Sequence, residues 1–359
     1  MPTHSSGPLT VAVVGATGAV GRTMLQVLIE RAFPYATLRP LASARSAGST
    51  LVIAGHRLTV EEARPESFEG VDIALFSAGA TASGTLAPAA AEAGAVVIDN
   101  SSRWRMEPGV PLVVPEVNAA DAASHEGIIA NPNCSTMQLV PLLAALRDAA
   151  GLERVVVDTY QAVSGSGHKA VAELQAQVEA HVAGEAITAS VYPHAIAFNV
   201  LPQVDVFLDD GYTREEWKVI HESRKILHLP ELRLSCTAVR VPVFTGHSEA
   251  VHVELRDPLS PEQAREAFAA VPGVIVVDEP TASRYPLATD AAGKDQIFVG
   301  RVWRVVSVAD GRGLAFWVVS DNLRKGAATN AVEIAELVVE RGWVRPAAEL
   351  GSVASGQPA

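Results

Sequence analysis

One of the chain's two cysteines stands where a cysteine becomes a nucleophile. The run Asn131-Pro132-Asn133-Cys134-Ser135-Thr136 leads into an apolar helical pattern over roughly Ser135 to Ala149, which places Cys134 at a helix N-terminus. There the helix dipole and unpaired N–H groups stabilise a thiolate. The same N–H groups can hold an oxyanion. A lone cysteine is more often a small buried hydrophobe, and Cys236, inside an apolar strand pattern, fits that description. Cys134 sits instead at a strand-to-helix switch, where ligands bind in open α/β sheets. A thiolate nucleophile needs a proton shuttle. Of ten histidines, His247 is distinctive, because Gly246 lets the chain turn sharply after the strand Arg240-Val241-Pro242-Val243 and present an imidazole at the strand's end.

A second chemical signature lies near the N-terminus. Gly15, Gly18 and Gly21 form a G-x-x-G-x-x-G loop between an apolar strand (Leu9 to Val14) and a helix with Val20, Met24 and Leu28 on one face. Glycines there let the backbone approach a pyrophosphate, and the helix N-terminus supplies N–H groups. The spacing departs from the common G-x-G-x-x-G, so its position after the first strand carries the assignment, against a tight turn without a ligand. The second strand ends in Ser43-Ala44-Arg45-Ser46, with no acid to hold a ribose 2′-hydroxyl. An arginine flanked by hydroxyls suits a 2′-phosphate, which favours NADP over NAD; the alternative is an exposed loop arginine.

Elements must position these groups. Strands are expected at Leu38 to Ala42, Val71 to Phe76, Ala95 to Asp99 and Gly127 to Ala130, with helices after the glycine loop, ending at Pro34, and from Ser83 to Ala93. This alternation implies a doubly wound parallel sheet. After Asn131 the pattern changes to longer strands, Arg154 to Val163, Leu234 to Val243, Val251 to Arg256 and Gln296 to Ala309. Asp310-Gly311 reads as a hairpin turn into Leu314 to Ser320, so a second lobe with a mixed or antiparallel sheet is expected. Asn322 to Arg341 reads as a helix that packs back on the first lobe, and the Gly/Ser/Pro-rich tail after Glu349 as frayed.

The stretches GATGAVG (Gly15 to Gly21), LASARSAG (Leu41 to Gly48), DNSS (Asp99 to Ser102), VPEVN (Val114 to Asn118), NPNCST (Asn131 to Thr136), TYQAVSGSG (Thr159 to Gly167), RVPV–GH (Arg240 to His247) and SDNLRKGAATN (Ser320 to Asn330) occur in one order. Jointly they resemble the aspartate-semialdehyde dehydrogenases, from Val11 to about Asn330. The resemblance implies a Rossmann-like doubly wound NADP-binding domain over residues 1–133, completed by a C-terminal helix over 322–345. It implies a second α+β catalytic and dimerisation domain over 134–321, before a flexible tail at 349–359. It implies that Cys134 is the nucleophile, His247 the general acid/base, and Gln161 the residue that positions the reacting acyl group. Arg240 would grip the substrate α-carboxylate, Arg105, Lys218 and Asn133 would hold phosphate, and Glu215 would hold the substrate amine. For NADP it implies the loop residues Gly15, Thr17, Gly18, Ala19, Val20 and Gly21, the 2′-phosphate contacts Ser43, Arg45 and Ser46, the lining loop Ser77, Ala78 and Gly79, and Gly167 and Asn322 near the nicotinamide. By residue type alone Gln161 is an ordinary polar strand residue, and Glu215 and Lys218 are an i,i+3 pair on a solvated helix face. The pattern departs at Ala80, where a second glycine is expected. The neighbours Arg103 and Glu216 leave the phosphate and amine partners open between Arg103 and Arg105 and between Glu215 and Glu216.

The activity implied is reductive dephosphorylation of L-4-aspartyl phosphate to L-aspartate 4-semialdehyde through a cysteine thioester, in the aspartate-family amino-acid pathway. Rival readings are an acyl-phosphate reductase for an N-acetylated substrate, which lacks the free amine, and a catalytically silent NADP-binding paralogue. The net charge of −12 argues against nucleic-acid and anionic-membrane partners, so an anionic substrate requires a local Arg/Lys cluster. No CxxC pair occurs and no metal is expected. Two cysteines in a chain this long point to a reducing compartment, taken as the cytoplasm. Met1 to Pro8 lacks an apolar h-region, and no apolar run is long enough to span a membrane. The resemblance implies a homodimer, with a tetramer as the larger alternative.

Overall fold

The computed structural model describes residues 9–344; the expectations for Met1–Pro8 and for the tail after Glu349 lie outside them. The chain divides into two units, Met1–Pro132 with Ala327–Ala359, and Asn133–Gly326.

The first unit is built on a six-stranded sheet. Its strands are β1 (Leu9–Val14), β2 (Tyr35–Ala42), β5 (Glu61–Glu62), β6 (Ile73–Phe76), β7 (Val96–Asp99) and β8 (Ile128–Ala130), in the order β5-β2-β1-β6-β7-β8. Every pairing is parallel. Parallel strands are covered on both faces, so they are apolar throughout rather than alternating; β6 and β7 are buried along their whole length. Helices Ala19–Glu30 and Asn330–Glu340 supply Met24, Leu25, Leu28, Ile334, Ala335 and Val338 to the core beside Val11, Val13, Ile73 and Leu75. The strand order reverses at β1, which leaves Gly15, Ser43 and Ser77 following the carboxyl ends of β1, β2 and β6 around the switch point. A small hairpin of β3 (Thr50–Ile53) and β4 (His56–Thr59) was not expected from the sequence. Its signal is weak: four-residue strands with exposed polar positions, turned at Ala54 and Gly55, both at positive φ.

The second unit holds a mixed sheet of β9 (Leu152–Gln161), β10 (Arg233–Arg240), β11 (His247–Leu255), β12 (Val274–Val276), β13 (Ile297–Arg304) and β14 (Gly313–Ser320), in the order β10-β9-β11-β14-β13-β12. The outer pairs β10–β9 and β12–β13 are parallel and the inner pairs antiparallel. Strands β9 from Val155 and β11 from Glu249 onward alternate between the two faces. Val155, Val157, Thr159 and Gln161 on β9, and His247, Glu249, Val251 and Val253 on β11, are buried, while their neighbours Val156, Asp158, Tyr160, Ala250 and His252 are partly exposed. Helices Cys134–Ala150, Arg214–Ile226 and Pro261–Ala269 pack against this sheet. The partly exposed face carries aromatic pairs, Tyr160 with Trp317 and His252 with Trp303.

Two expectations are corrected. His247 does not close the strand before it. β10 ends at Arg240, and His247 opens β11 after Gly246, whose φ is +95° and whose added Cβ would stand 2.9 Å from the Ala288 carbonyl oxygen. The helix read over Asn322 to Arg341 begins later. Arg324–Thr329 is a π-helical turn and the α-helix runs Asn330–Glu340. The Asp321 carboxylate accepts the Leu323 and Arg324 N–H groups, and the Asp321 carbonyl accepts from Gly326 at 3.0 Å, which makes the turn wide.

In the first unit, the Asn330 side-chain amide donates to the Val113 carbonyl at 3.1 Å and to Asn131 Oδ1 at 2.6 Å, while Asn131 Nδ2 donates to the Ala327 carbonyl at 2.9 Å. All of this is buried, so Asn330→Ala is expected to leave two acceptors unmatched and lower unfolding stability by about 2–4 kcal/mol. Denaturant unfolding checks this; a loss within about 0.5 kcal/mol, typical of a surface change, would contradict it.

Candidate active site

In the first unit the glycine loop has the form of a cradle. Gly15 has φ +83°, and a Cβ on it would stand 2.4 Å from the Ser77 carbonyl oxygen; one on Gly21 would stand 2.2 Å from the Gly15 carbonyl oxygen. Side chains at either position would push apart the two loops and the first helical turn. Helix Ala19–Glu30 begins at Gly18 with no side-chain cap and no acid in its first turn, so its N-terminus is shaped for an anion. Thr17, Ala19 and Val20 complete this turn, each partly buried. Gly79, at φ +79°, starts the helix Ala80–Glu92 beside Ser77 and Ala78. Ser43 and Arg45 are exposed and Ser46 partly so, in a turn closed by the Ser46 N–H on the Ser43 carbonyl. A dinucleotide fits these residues.

Arg105 also lies in the first unit. Its guanidinium donates to the Asn131 carbonyl at 3.0 Å and the Asn100 carbonyl at 2.8 Å. Arg103 instead donates to Glu107 at 2.7 Å and lies over the Trp104 ring. Arg105 is thus the buried, anchored member of the pair.

The second unit brings together Cys134, His247, Gln161, Arg240, Asn133, Glu215 and Lys218. Cys134 is the first residue of helix Cys134–Ala150, and the Asn133 side chain caps that helix by accepting from the Ser135 and Thr136 N–H groups. The Asn133 N–H donates to Glu222 at 2.6 Å, which fixes the cap in turn. Gly326 approaches from the other side, where a Cβ would stand 3.1 Å from that of Cys134. The Cys134 sulfur lies 3.2 Å from His247 Nε2.

The tautomer of His247 follows from its other nitrogen. The Ala162 N–H donates to Nδ1 at 3.1 Å, so in the neutral ring the proton sits on Nε2 and faces the sulfur. Burial pushes the His247 pKa down to about 3; the Arg240 charge adds to this and Glu215 opposes it. The ring is therefore neutral at physiological pH, a hydrogen-bond donor to sulfur rather than an imidazolium.

Gln161 and Arg240 are register partners at the carboxyl ends of β9 and β10. Arg240 Nη1 donates to the Ala162 carbonyl at 2.7 Å, while its buried Nε has no partner. A buried guanidinium with an unused donor is prepared for an anionic ligand. Glu215 accepts from Asn133 Nδ2 at 2.8 Å, Gln161 Nε2 at 3.2 Å and Lys218 at 3.0 Å. Burial raises its pKa, but the Lys218 charge and these hydrogen bonds outweigh that and bring it down to about 2. Glu216 faces elsewhere. It closes a capping box with Thr213 and accepts from the Ala238 N–H. Lys218 also pairs with Asp205 at 2.8 Å. Asn322 accepts from the Gly246 N–H at 3.0 Å and donates to Ser164 at 2.9 Å, while Gly167, φ +86°, starts the helix His168–Ala183.

Sequence reasoning passed over Ala162, whose backbone holds both His247 and Arg240, and Gly165, where a Cβ would stand 3.2 Å from each of them. A backbone group carries no side-chain signal. Ser135, whose hydroxyl accepts from Gln161 at 3.1 Å, and Glu222 were missed too. Among the described residues no cluster of metal-ligating side chains occurs, and no helix is long and apolar enough to cross a membrane.

Because the unfolded imidazole titrates near 6.5 and the folded one near 3, His247 favours the folded state above about 6.5 and loses that contribution as pH falls toward 3. Nitrogen-15 NMR is expected to find the Nε2–H tautomer unchanged from pH 8 to about 4.5, well below the usual histidine range. A ring that titrates near 6.5 would refute this environment.

Comparison with known proteins places the chain in a family. Residues 10–125 match the family model described as semialdehyde dehydrogenase, NAD binding domain, and residues 143–325 the one described as semialdehyde dehydrogenase, dimerisation domain. The chain is 54% identical over 338 residues to an aspartate-semialdehyde dehydrogenase of Aquifex aeolicus, covering 93% of this chain and 99% of the relative. It is 52% identical over 336 residues to that of Bacillus subtilis, covering 91% and 96%. The crystal structure of aspartate semialdehyde dehydrogenase II of Vibrio cholerae complexed with ASA superposes with a TM-score of 0.90 at 47% identity, covering 93% of this chain and 99% of that one. With a nicotinamide-cofactor domain, a second mixed-sheet domain and this identity over nearly its full length, the chain belongs to the aspartate-semialdehyde dehydrogenase family of oxidoreductases.

Proposed function

We propose that the chain converts L-4-aspartyl phosphate to L-aspartate 4-semialdehyde with NADP as its cofactor, through a thioester on Cys134, in the aspartate-family amino-acid pathway. The observation that carries this reading is the 3.2 Å approach of His247 Nε2 to the Cys134 sulfur at a capped helix N-terminus. Within the cofactor assignment, NADP is favoured by Ser43, Arg45 and Ser46 after β2, where no carboxylate stands to hold a 2′-hydroxyl. Gly15 to Gly21 would cradle the pyrophosphate, Ser77 to Gly79 would line the bound dinucleotide, and Gly167 and Asn322 would serve the nicotinamide end.

The Cys134 thiolate, stabilised by the helix N-terminus and the Nε2–H of His247, attacks the acyl carbon. The carbon–oxygen bond to phosphate breaks and inorganic phosphate leaves, its charge met by Lys218, Asn133 and, by resemblance, Arg105. Gln161 orients the thioester carbonyl. When bound, the reduced nicotinamide supplies hydride to that carbon. The Nε2–H of His247 hydrogen-bonds to the oxyanion that forms at that carbon, and the carbon–sulfur bond breaks as the carbonyl re-forms, which releases the aldehyde and the thiolate. Arg240 binds the α-carboxylate, and Glu215, held ionised, binds the ammonium; an N-acetylated substrate has no such ammonium. The partly exposed aromatic face of the second sheet, with the match to a dimerisation domain, supports a homodimer. Two cysteines outside any disulfide suit a reducing cytoplasm.

The test follows NADPH absorbance with L-aspartate 4-semialdehyde, NADP and inorganic phosphate, beside Cys134→Ala. NADPH formation that requires phosphate and vanishes in the variant is expected. Formation without phosphate would mean a hydrolytic aldehyde dehydrogenase, and none in the wild type would revive a silent paralogue. Arg240→Leu is expected to lower kcat/KM by about 10²-fold or more, in keeping with a lost charge-assisted pair; a change confined to the KM for NADP would move Arg240 out of the substrate site.

A further inference from the structure

Two residues beyond His247 on β11, and on the same face, Glu249 is fully buried under helix Cys134–Ala150. The reaction above makes no use of it. Neither of its carboxyl oxygens meets a partner in good hydrogen-bond geometry, and the nearby amide Nε2 of Gln138 is likewise buried and unmatched. Burial pushes the Glu249 carboxyl up to about 8, against the partial opposition of the Gln138 and Ser135 side chains beside it. At neutral pH it is a carboxylic acid, with one donor and an acceptor oxygen.

Its oxygens answer a local shortage of acceptors. The Ser135 hydroxyl, fully buried and next in sequence to Cys134, accepts from Gln161 Nε2 at 3.1 Å and needs an acceptor for its own proton. Gln138 Oε1 is taken by the Ser320 hydroxyl at 2.7 Å, and its buried Nε2–H needs an acceptor. A carboxyl between them can take the Ser135 proton on one oxygen and the Gln138 Nε2–H on the other. Gln161 depends on this, because its two amide hydrogens are shared among three oxygens, Ser135 Oγ, Thr159 Oγ1 at 3.3 Å and Glu215 Oε1 at 3.2 Å. Thr159 is the register partner of Glu249, so the whole group forms one buried polar layer beneath the sulfur.

We propose that Glu249 is a positioning residue for the thioester chemistry: its carboxyl group holds the Ser135 hydroxyl, and through it the Gln161 amide, in the orientation that presents Gln161 to the reacting acyl group. The proposal rests on the role given to Gln161 above. Glu249 itself touches neither substrate nor cofactor.

The experiment compares steady-state kinetics of the full chain with Glu249→Gln, Glu249→Leu, Ser135→Ala and, as control, Gln161→Met. Glu249→Gln keeps a donor and an acceptor and is expected to retain kcat within about twofold, whereas Glu249→Leu and Ser135→Ala lose about tenfold or more in kcat with KM for L-aspartate 4-semialdehyde moving less than about threefold. A merely structural role would lower the amount of folded enzyme without this split and without rescue by glutamine. Should Glu249→Leu fail to fold, Ser135→Ala severs the same link and decides alone. Wild-type kcat in Ser135→Ala or in folded Glu249→Leu overturns the proposal, as does a glutamine variant as slow as the leucine one. If Gln161→Met keeps full activity, the role of Gln161 itself is wrong; if that variant is impaired while the others are not, only the role of Glu249 fails.

Discussion

The Ala162 N–H holds His247 by Nδ1, and that one bond decides what the second unit can do. An imidazole in water exchanges its proton between two nitrogens and titrates near neutrality. Here the backbone donor claims Nδ1, burial removes the charged form, and the remaining N–H faces sulfur at 3.2 Å. The same residue's carbonyl takes the Arg240 guanidinium, so a single peptide segment after β9 sets an imidazole and a cation together. Gly165 clears the space they share.

Around this pair the electrostatics are arranged by burial. A chain with net charge −12 has no general attraction for an anionic substrate. Arg240 and Lys218 set positive charge locally, while Glu215, kept ionised by Lys218 and by hydrogen bonds from Asn133 and Gln161, stops this cluster from being uniformly positive. Glu249 is the opposite case. It is a carboxyl with no cation beside it, and burial keeps it protonated. Two glutamates in one unit thus hold opposite ionisation states because their neighbours differ.

The helix Cys134–Ala150 links the polar layers. Its N-terminus presents Cys134, its cap Asn133 is tied to Glu215 and Glu222, and its first turns contribute Ser135 and Gln138 to the buried layer under the sheet ends. The alternation of β9 and β11 supplies the other half, because every second residue must face that helix.

Much of this was legible in the amino-acid order alone. Apolar runs between glycine-marked turns determined the parallel sheet of the first unit, since strands covered on both faces must be apolar throughout. The short run Asn133-Cys134-Ser135 determined that a cysteine would open a helix, because the capping side chain is local. What the order of residues did not determine were bonds between groups distant along the chain. The different surroundings of Glu215 and Glu216 became visible only when helix Arg214–Ile226 turned one toward Asn133 and Gln161 and the other toward Thr213 and Ala238. The π-helical turn at Arg324–Thr329, the opening of β11 at His247 rather than the closing of the strand before it, and the backbone groups of Ala162 likewise have no signature in residue type. Local sequence sets backbone preference and burial pattern. Which buried polar groups meet, and so which are charged, is settled by the tertiary fold, because hydrogen bonding and desolvation depend on neighbours that the chain brings from far away.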